Sequence, residues 1–309
     1  MRIVVHGQQA FGKAVLEALL KRGETIVAVY VAPEKEGAKP DPLKEAALAA
    51  KLPVFQPASY RKQEVLQEFK ALRPDLQVMA FVTLFVPEDF LNAPSHGSIQ
   101  YHPSLLPKYR GPSAINWPII NGDHETGLSI FWPDNGLDTG DVLLQKTTPI
   151  GPEDTLGSVY FDRLFPMGVE AMLEAVDLVK AGKAPRLRQD EALATYEGRC
   201  GPENARIDWG KPWRQIHALV RGCNPAPGAW TEHGGARLQI FEARPLPAKS
   251  PKGIAGKMGE IVEIDAQSFS VVCADGRIKV LRVKPADGGK IGAGDWAKAV
   301  GLSTGTRFG

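Results

Sequence analysis

Apolar and polar positions along the first part of the chain follow two periods, one typical of strands and one of helices. Residues 2–5 and 25–31 are almost continuously apolar and rich in β-branched side chains, as buried strands are. Between these two runs, apolar residues recur every three or four positions: Phe11, Val15, Leu16, Leu19 and Leu20. This spacing places them on one face of a helix. The strand–helix–strand order predicts an α/β fold with a Rossmann-like, doubly wound and mostly parallel sheet.

The same alternation continues to about residue 182. It predicts strands at 54–55, 76–82, 98–101, 128–132 and 142–147. It predicts helices at 43–51, 62–72, 112–120 and 154–180, the last beginning at an Asp154-Thr155 cap and divided or kinked at Pro166. Residues 183–203 are rich in Pro, Arg and Gly without a sustained period, which is typical of a linker. We therefore expect an N-terminal domain over residues 1–203.

Short strands dominate the rest of the chain, residues 204–309. After one helix at 212–221, the pattern predicts strands at 229–231, 238–244, 259–264, 268–274 and 278–283. The Asp275-Gly276 pair indicates a tight hairpin between the last two. Five short strands and a helix predict a small OB-like β-barrel as the C-terminal domain.

Composition narrows the class of protein. Of the 309 residues 43% are hydrophobic and 23% charged, which is ordinary for globular domains. Three widely spaced cysteines without a C-x-x-C pair indicate neither a disulfide framework nor a zinc site, so no metal is expected. The first residues enter a strand directly, and no apolar run approaches the roughly 20 residues that span a bilayer. We expect a cytoplasmic protein without a membrane partner, and the oligomeric state stays open.

Charge is distributed unevenly along the chain. The formal net charge is +2, but residues 204–309 hold 16 Lys and Arg against 9 Asp and Glu, a balance of +7, and residues 1–203 carry −5. This asymmetry fits a polyanionic partner for the C-terminal domain. Solvated lysines scattered over a small β domain explain it equally well, and both interpretations stay open.

Two stretches carry candidate chemistry. His102 stands at the end of a predicted strand and is followed by Pro103, at the sheet edge where ligands of open α/β sheets bind. Residues 132–141 place several carboxylates on a glycine-rich loop between two other strands. The glycines at 7–12 do not form G-x-G-x-x-G, and no acidic residue closes the second strand, so no NAD is expected.

Several motifs together resemble a known family. They are HPSLLPKYRG at 102–111, NW at 116–117, IFW at 130–132, LDTGD at 137–141, ATYEG at 194–198 and PGAWTE at 227–232. This set resembles the 10-formyltetrahydrofolate-dependent formyltransferase family over nearly the whole chain. Within the family it is most similar to the N-terminal hydrolase domain of 10-formyltetrahydrofolate dehydrogenase, and next to methionyl-tRNA formyltransferase. The resemblance implies a Rossmann-like domain followed by an OB-like barrel, with 10-formyltetrahydrofolate as formyl donor.

The resemblance also implies roles for particular residues. His102 is expected to act in proton transfer and to hydrogen-bond the developing oxyanion, and Asp138 to orient His102 and position or deprotonate the nucleophile. The folate slot is expected to be formed by Phe81, Phe85, Val86, Pro87, Asp134, Leu137 and Asp138. At least one of the two phenylalanines is expected to be ordinary core. Asp141 is expected to close its loop rather than to act in catalysis.

Gln100 is a departure from the family pattern, because transferases of this family usually carry Asn two residues before the histidine. The longer side chain displaces its amide by on the order of 1 Å, and such a misplacement can cost about a hundredfold in rate. Gln100 is therefore the third candidate catalytic residue, and it favours water or an atypical amine as acceptor. The near-neutral loop at 33–42 points the same way, since methionyl-tRNA formyltransferases typically carry a basic insertion there.

The preferred function is removal of the formyl group to water, or its transfer to a small amine. The +7 C-terminal domain supports the main alternative, formylation of initiator methionyl-tRNA, since RNA affinity depends on basic charge. An amino-sugar N-formyltransferase and a non-catalytic folate-binding module are further alternatives.

Overall fold

The computed structural model describes residues 1–34, 37–248 and 255–309. Lys35 and Glu36 of the predicted 33–42 loop lie outside the described residues. The chain forms two compact units, the first made of residues 1–111, 127–148 and 161–196, the second of 112–126, 149–160 and 197–309. Each unit is thus assembled from separate stretches of chain. The domain boundary expected at residue 203 stays a prediction.

A seven-stranded sheet is the centre of the first unit. Its strands are β1 Arg2–Gly7, β2 Thr25–Val31, β3 Val54–Phe55, β4 Leu76–Ala80, β5 Ser98–His102, β6 Glu125–Phe131 and β7 Val142–Pro149. They lie in the order β3-β2-β1-β4-β5-β6-β7. The pairs from β3 to β5 are parallel, and β6 runs antiparallel to β5. The predicted mostly parallel, doubly wound sheet is confirmed. β4 ends two residues earlier than predicted, because Phe81 has a left-handed φ of +65° that no strand accommodates.

The helices up to residue 196 follow the predicted order with two differences. They are α1 Gln9–Lys21, α2 Pro42–Ala49, α3 Gln63–Ala71, α4 Glu88–Leu91, α5 Asn116–Asn121, α6 Leu156–Ser158 and α7 Phe165–Lys180. The short α4 was not predicted. α5 begins four residues later than predicted, because Ser113 has a φ of +64° that is incompatible with a helix.

The predicted helix at 154–180 is divided. Thr155 caps α6 as expected, with its hydroxyl accepting from the Ser158 N–H at 3.1 Å and the Ser158 hydroxyl accepting from the Thr155 N–H at 3.0 Å. A π-helical turn, Val159–Leu164, separates α6 from α7. Pro166 is the second residue of α7 and has no N–H to donate, so helical hydrogen bonding is interrupted where the π-helical turn meets α7. Gly168 then lets α7 lie close to the sheet, since a Cβ there would be 2.7 Å from the Tyr101 ring.

An antiparallel sheet forms the centre of the second unit. Its described elements are α8 Trp213–Gly222, β8 Ala229–His233, β9 Ala236–Pro247, β10 Ile261–Ile264, β11 Phe269–Cys273, β12 Gly276–Pro285, β13 Ile291–Gly292 and α9 Ala293–Ala299. The strand order is β10-β11-β12-β9-β8, with β13 on β12. A separate antiparallel sheet is thus confirmed, whereas its closure as an OB-like barrel stays a prediction. The predicted hairpin is present with its turn at 274–275, because Gly276 already pairs with Cys273.

Buried side chains of the second unit form one large cluster that includes Trp209, Phe269, Trp296 and Phe308. α9 contributes Trp296 to this cluster, although its short, glycine-containing sequence carries too little periodicity to predict a helix. Throughout residues 1–34, 37–248 and 255–309, helices are too short or too polar to cross a bilayer.

Candidate active site

His102 is the last residue of β5, at the carboxyl edge of the parallel strands, as predicted. It pairs with Ser129 of β6 and is only 6% exposed. Because side chains alternate along a strand, Gln100 lies on the same face of β5 as His102, and Tyr101 on the opposite face. Tyr101 packs against Phe11 of α1, with ring centroids 4.3 Å apart. Helix packing on one face of β5 thus holds the strand whose other face presents His102.

The hydrogen bonds of His102 determine which ring nitrogen is available for chemistry. Its Nε2 lies 2.8 Å from the Tyr109 carbonyl oxygen. A carbonyl only accepts, so Nε2 must carry the hydrogen. The neutral ring therefore has its lone pair on Nδ1, which lies 3.5 Å from Oδ2 of Asp138. Nδ1 is thus the ring nitrogen that faces Asp138 and can take up a further proton.

Asp138 is held opposite His102 by the chain that follows β5. Its Oδ2 accepts from the Gly111 N–H at 2.8 Å, and the residue is 9% exposed. Asp138 has a φ of +57°, a left-handed conformation that costs a non-glycine residue on the order of 1–3 kcal/mol. The surrounding structure must supply that energy. Tyr109 and Gly111, two residues apart, thus fix the imidazole and the carboxylate respectively.

Arg110, between those two residues, is a buried charge whose guanidinium hydrogen-bonds to three other side chains. Its guanidinium donates to Gln189 Oε1 at 2.8 and 3.0 Å, to both carboxylate oxygens of Glu191 at 2.7 and 2.9 Å, and to the Tyr196 hydroxyl at 2.7 Å. The hydrogen bonds with Glu191, followed by that with Tyr196, raise the pKa of Arg110, and burial acts in the opposite direction. Arg110 lowers the pKa of Glu191 in return.

Gln189 and Glu191 carry no sequence signal of a role at this site. They lie in the aperiodic stretch interpreted as a linker, and only the need of a buried arginine for acceptors could have suggested such partners. The fold places both residues in the first compact unit.

Three large apolar side chains are exposed after the end of β4 and in the loop that carries Asp138. Phe81 is 48%, Phe85 51% and Leu137 56% exposed. The expectation that one of the phenylalanines belongs to the core is therefore wrong, since both follow the end of β4 and point out of the core. Leu137 packs beside Gly111, where a Cβ would be 3.2 Å from it. Exposed flat and aliphatic groups of this kind suit a planar heteroaromatic ring.

The loop after β4 and the loop that carries Asp138 meet directly, because the Asn135 amide donates to the Glu88 carboxylate. Val86 has its side chain in the core and is 6% exposed, so it can contribute only main-chain groups to a ligand. Pro87 precedes α4 as its cap residue. The contact brings the start of α4, directly after segment 81–87, to loop 134–138, and these are the two stretches expected to hold the folate.

Asp134 has a structural task in this loop. Its Oδ1 accepts from the Gly136 N–H at 3.0 Å and from the Thr139 hydroxyl at 2.6 Å. Asp141 contributes its main-chain carbonyl, which accepts from the Trp132 N–H at 2.9 Å. The loop is thus closed by the Asp134 side chain together with the Asp141 main chain.

Comparison with known proteins identifies the family of the chain. Residues 1–176 match the family model described as formyl transferase, and residues 199–301 match that of the formyl transferase C-terminal domain. Human cytosolic 10-formyltetrahydrofolate dehydrogenase is 43% identical over 280 residues, which are 85% of this chain and 31% of that protein. The chain thus spans about a third of that relative's length.

Two further proteins are similar over most of their own length. Methionyl-tRNA formyltransferase of Moorella thermoacetica is 39% identical over 290 residues, 92% of each chain. The solved structure of an N-formyltransferase from Helicobacter canadensis, in complex with folinic acid and dTDP-3-aminofucose, has a TM-score of 0.67 at 18% identity. It covers 90% of this chain and 98% of its own, and shows the same fold. Because both family models match and the Moorella thermoacetica relative is similar over most of its length, the chain belongs to the formyl transferase family.

Proposed function

We propose that this protein is an enzyme that removes the formyl group of 10-formyltetrahydrofolate to water, giving tetrahydrofolate and formate. The observation that carries the proposal is the buried His102–Asp138 pair, in which Nδ1 of the imidazole faces the carboxylate across 3.5 Å. The similarity to 10-formyltetrahydrofolate dehydrogenase over the region present here supports 10-formyltetrahydrofolate as the formyl donor.

The two carboxylate oxygens of Asp138 suit two tasks. Oδ2 faces His102 and accepts from Gly111, whereas Oδ1 makes no hydrogen bond within the described part of the chain. We assign Oδ1 to take the proton of the attacking water. His102 acts in the form that carries a hydrogen on both ring nitrogens, so that its Nδ1–H hydrogen-bonds the formyl oxygen as it becomes an oxyanion and remains on the ring throughout.

The proposed reaction needs only water and 10-formyltetrahydrofolate as reactants. The water oxygen bonds to the formyl carbon while one water proton passes to Asp138. The carbon–nitrogen bond of the tetrahedral intermediate then breaks, and that proton moves to the departing folate nitrogen. The products are tetrahydrofolate and formic acid, which ionises to formate.

Gln100 supports water as the nucleophile. It is only partly buried, it lies on the His102 face of β5, and its side-chain amide makes no hydrogen bond to any residue that the structure describes. A free amide two positions before the histidine can hold either the formyl oxygen or the attacking water. Phe81, Phe85 and Leu137 would hold the pterin ring beside it.

The test follows 10-formyltetrahydrofolate by absorbance with purified protein and no amine acceptor. We expect tetrahydrofolate and formate to appear. His102→Ala and Asp138→Ala are each expected to lower kcat by at least about a hundredfold while tetrahydrofolate still binds in calorimetry. His96→Ala is the matched control, since His96 is exposed and lies before the opposite end of β5. Unchanged turnover in either site variant would remove that residue from the mechanism.

Formylation of initiator methionyl-tRNA is the second candidate, favoured by the length match to the Moorella thermoacetica relative and by a cationic cluster in the second unit. Burial lowers the pKa of Lys290, and the charges of Arg282 and Lys284 add to this effect. Lys279 stands opposite Arg244 in the β9–β12 pair but forms an ion pair with Asp265 at 3.1 Å. The charges that a bound polyanion would neutralise are therefore those of Lys290, Arg282 and Lys284.

Adding charged initiator tRNA to the same assay separates the two candidates. Turnover that requires tRNA and yields formylmethionyl-tRNA, with binding that weakens steeply as salt rises, would replace hydrolysis by tRNA formylation. Activity only with amino sugars would refute both.

A further inference from the structure

We propose that Gln189 is a positioning residue that holds Asp138 in its working conformation. The proposal rests on the function proposed above. Gln189 connects the buried Arg110 guanidinium to the main chain of the loop that carries Asp138, and we name this connection the Arg110–Gln189 bridge. Gln189 itself lies in residues 177–198, which neither family model matches.

The partners of the Gln189 amide determine which of its two ends is the oxygen and which is the nitrogen. Oε1 accepts from Nε and Nη2 of Arg110 at 3.0 and 2.8 Å. Nε2 donates to the carbonyl oxygens of Asp138 and Gly140 at 2.9 and 2.7 Å. A guanidinium only donates and a carbonyl only accepts, so the amide has a single orientation. Gln189 is 6% exposed, which excludes water as a general substitute for these bonds.

The Arg110–Gln189 bridge restrains Asp138, whose backbone conformation is strained. Asp138 has a left-handed backbone, and its carboxylate receives one N–H, from Gly111. Gln189 holds the main-chain carbonyl of the same residue, so Asp138 is restrained at both ends. The two restraints originate from adjacent residues. Gly111 binds the Asp138 carboxylate directly, and Arg110 holds the Asp138 main chain through Gln189. Arg110 is itself immobilised by Glu191 and Tyr196.

Loss of the bridge is therefore expected to move the carboxylate away from His102. A displacement on the order of 1 Å can lower a catalytic rate about a hundredfold. Substrate affinity should change little, because Asp138 is the one residue assigned to the folate slot to which Gln189 hydrogen-bonds, and the remaining slot residues keep their places. A purely structural role for Gln189 predicts instead a loss of stability without a specific effect through Asp138.

The test uses the variant Gln189→Glu in the full chain. The new carboxylate keeps an acceptor for Arg110 but turns an oxygen towards the carbonyls of Asp138 and Gly140, where the amide donated. Gln56→Glu is the matched control, because the Gln56 amide also donates to one main-chain carbonyl, that of Ala32, at 2.9 Å. Gln56 follows β3, four strands from β5 in the sheet and thus roughly 19 Å away.

Three measurements are combined, and the first does not depend on turnover. Amide hydrogen exchange by NMR should become faster at Gly111 in Gln189→Glu, because its N–H loses the Asp138 carboxylate. Turnover of 10-formyltetrahydrofolate should fall about a hundredfold in kcat, with the Kd of tetrahydrofolate within about twofold of wild type. In an Asp138→Asn background the same change should have almost no further effect on kcat, as expected for residues that act as a unit.

Several results would overturn the proposal. They are unchanged exchange at Gly111, unchanged kcat in folded Gln189→Glu, and an equal loss of kcat with and without the Asp138 carboxylate. If Gln189→Glu does not fold, Gln189→Met, which replaces the amide by an apolar group of similar length, undergoes the same measurements. Wild-type protein that shows protected Gly111 but no formyl release would refute the proposed function and leave the exchange test of the bridge intact.

Discussion

Replacing Gly140 by alanine tests how closely the loop that carries Asp138 must fit. A Cβ at Gly140 would lie 1.7 Å from the carbonyl oxygen of Trp132 and 2.9 Å from its carbonyl carbon. Both are main-chain atoms, so no side-chain rotation can relieve the overlap. Heavy atoms that are not bonded require more than about 3 Å, so the two strands of the loop must separate by more than about 1 Å.

The separation has two consequences that can be estimated. It stretches the hydrogen bond from the Trp132 N–H to the Asp141 carbonyl and the one from Gln189 to the Gly140 carbonyl. Overpacking of this kind costs about 1–3 kcal/mol of unfolding free energy. Because Asp138 lies two residues before Gly140, we expect its carboxylate to move by on the order of 1 Å and kcat to fall about a hundredfold.

The assay measures urea unfolding, kcat for formate release and the Kd of tetrahydrofolate in Gly140→Ala and in Gly289→Ala. Gly289 is the matched control, because a Cβ there meets no atom within 4 Å and its φ is not left-handed. We expect the control to differ from wild type by less than about 0.5 kcal/mol and to keep its kcat. Gly140→Ala with wild-type stability and turnover would show that the loop tolerates displacement, and would refute a tightly positioned Asp138.

Two further predictions concern stability. Burial lowers the pKa of His6 to about 3, whereas an unfolded histidine titrates near 6.5. The unfolded chain therefore binds the extra proton between pH 6.5 and about 3, and stability falls with falling pH through that window by up to about 1.4 kcal/mol per pH unit. Urea unfolding from pH 7 to 5 should show this slope in wild type and a shallower one in His6→Gln; equal slopes would contradict the assignment. Thr155→Ala removes the acceptor of the Ser158 N–H and should cost about 1 kcal/mol in the same experiment at pH 7, and no measurable loss would show that the cap is dispensable.

The local pattern of apolar residues was sufficient to predict most strands of the first sheet and the position of His102. β2 and β3 were predicted to the residue, and β5 within one residue, because buried strands are short apolar runs with clear ends. His102 follows from the same pattern, since a residue at a strand end also lies at the sheet edge. β4 and α5 differ from prediction because Phe81 and Ser113 have left-handed backbones, which no period reveals. The helices α4 and α9 were missed because they are too short to show a period.

Only the tertiary structure decided how the site is held together. Gln189 contacts the main chain of Asp138, 51 positions away, and the side chain of Arg110, 79 positions away. Cys200 and Cys223, unrelated by spacing, lie with their sulfur atoms 4.0 Å apart. Hydrophobic periodicity reports which face of an element is buried, and not which polar groups meet across the fold.

The sequence by itself therefore determined the type of sheet, the edge at which His102 stands and the presence of an acidic loop between two strands, because each depends on neighbouring residues. The tertiary structure decided which nitrogen of His102 is free, how the strained Asp138 is restrained and which phenylalanines stay exposed. These depend on hydrogen bonds and packing between distant segments, which exist only once the chain has folded.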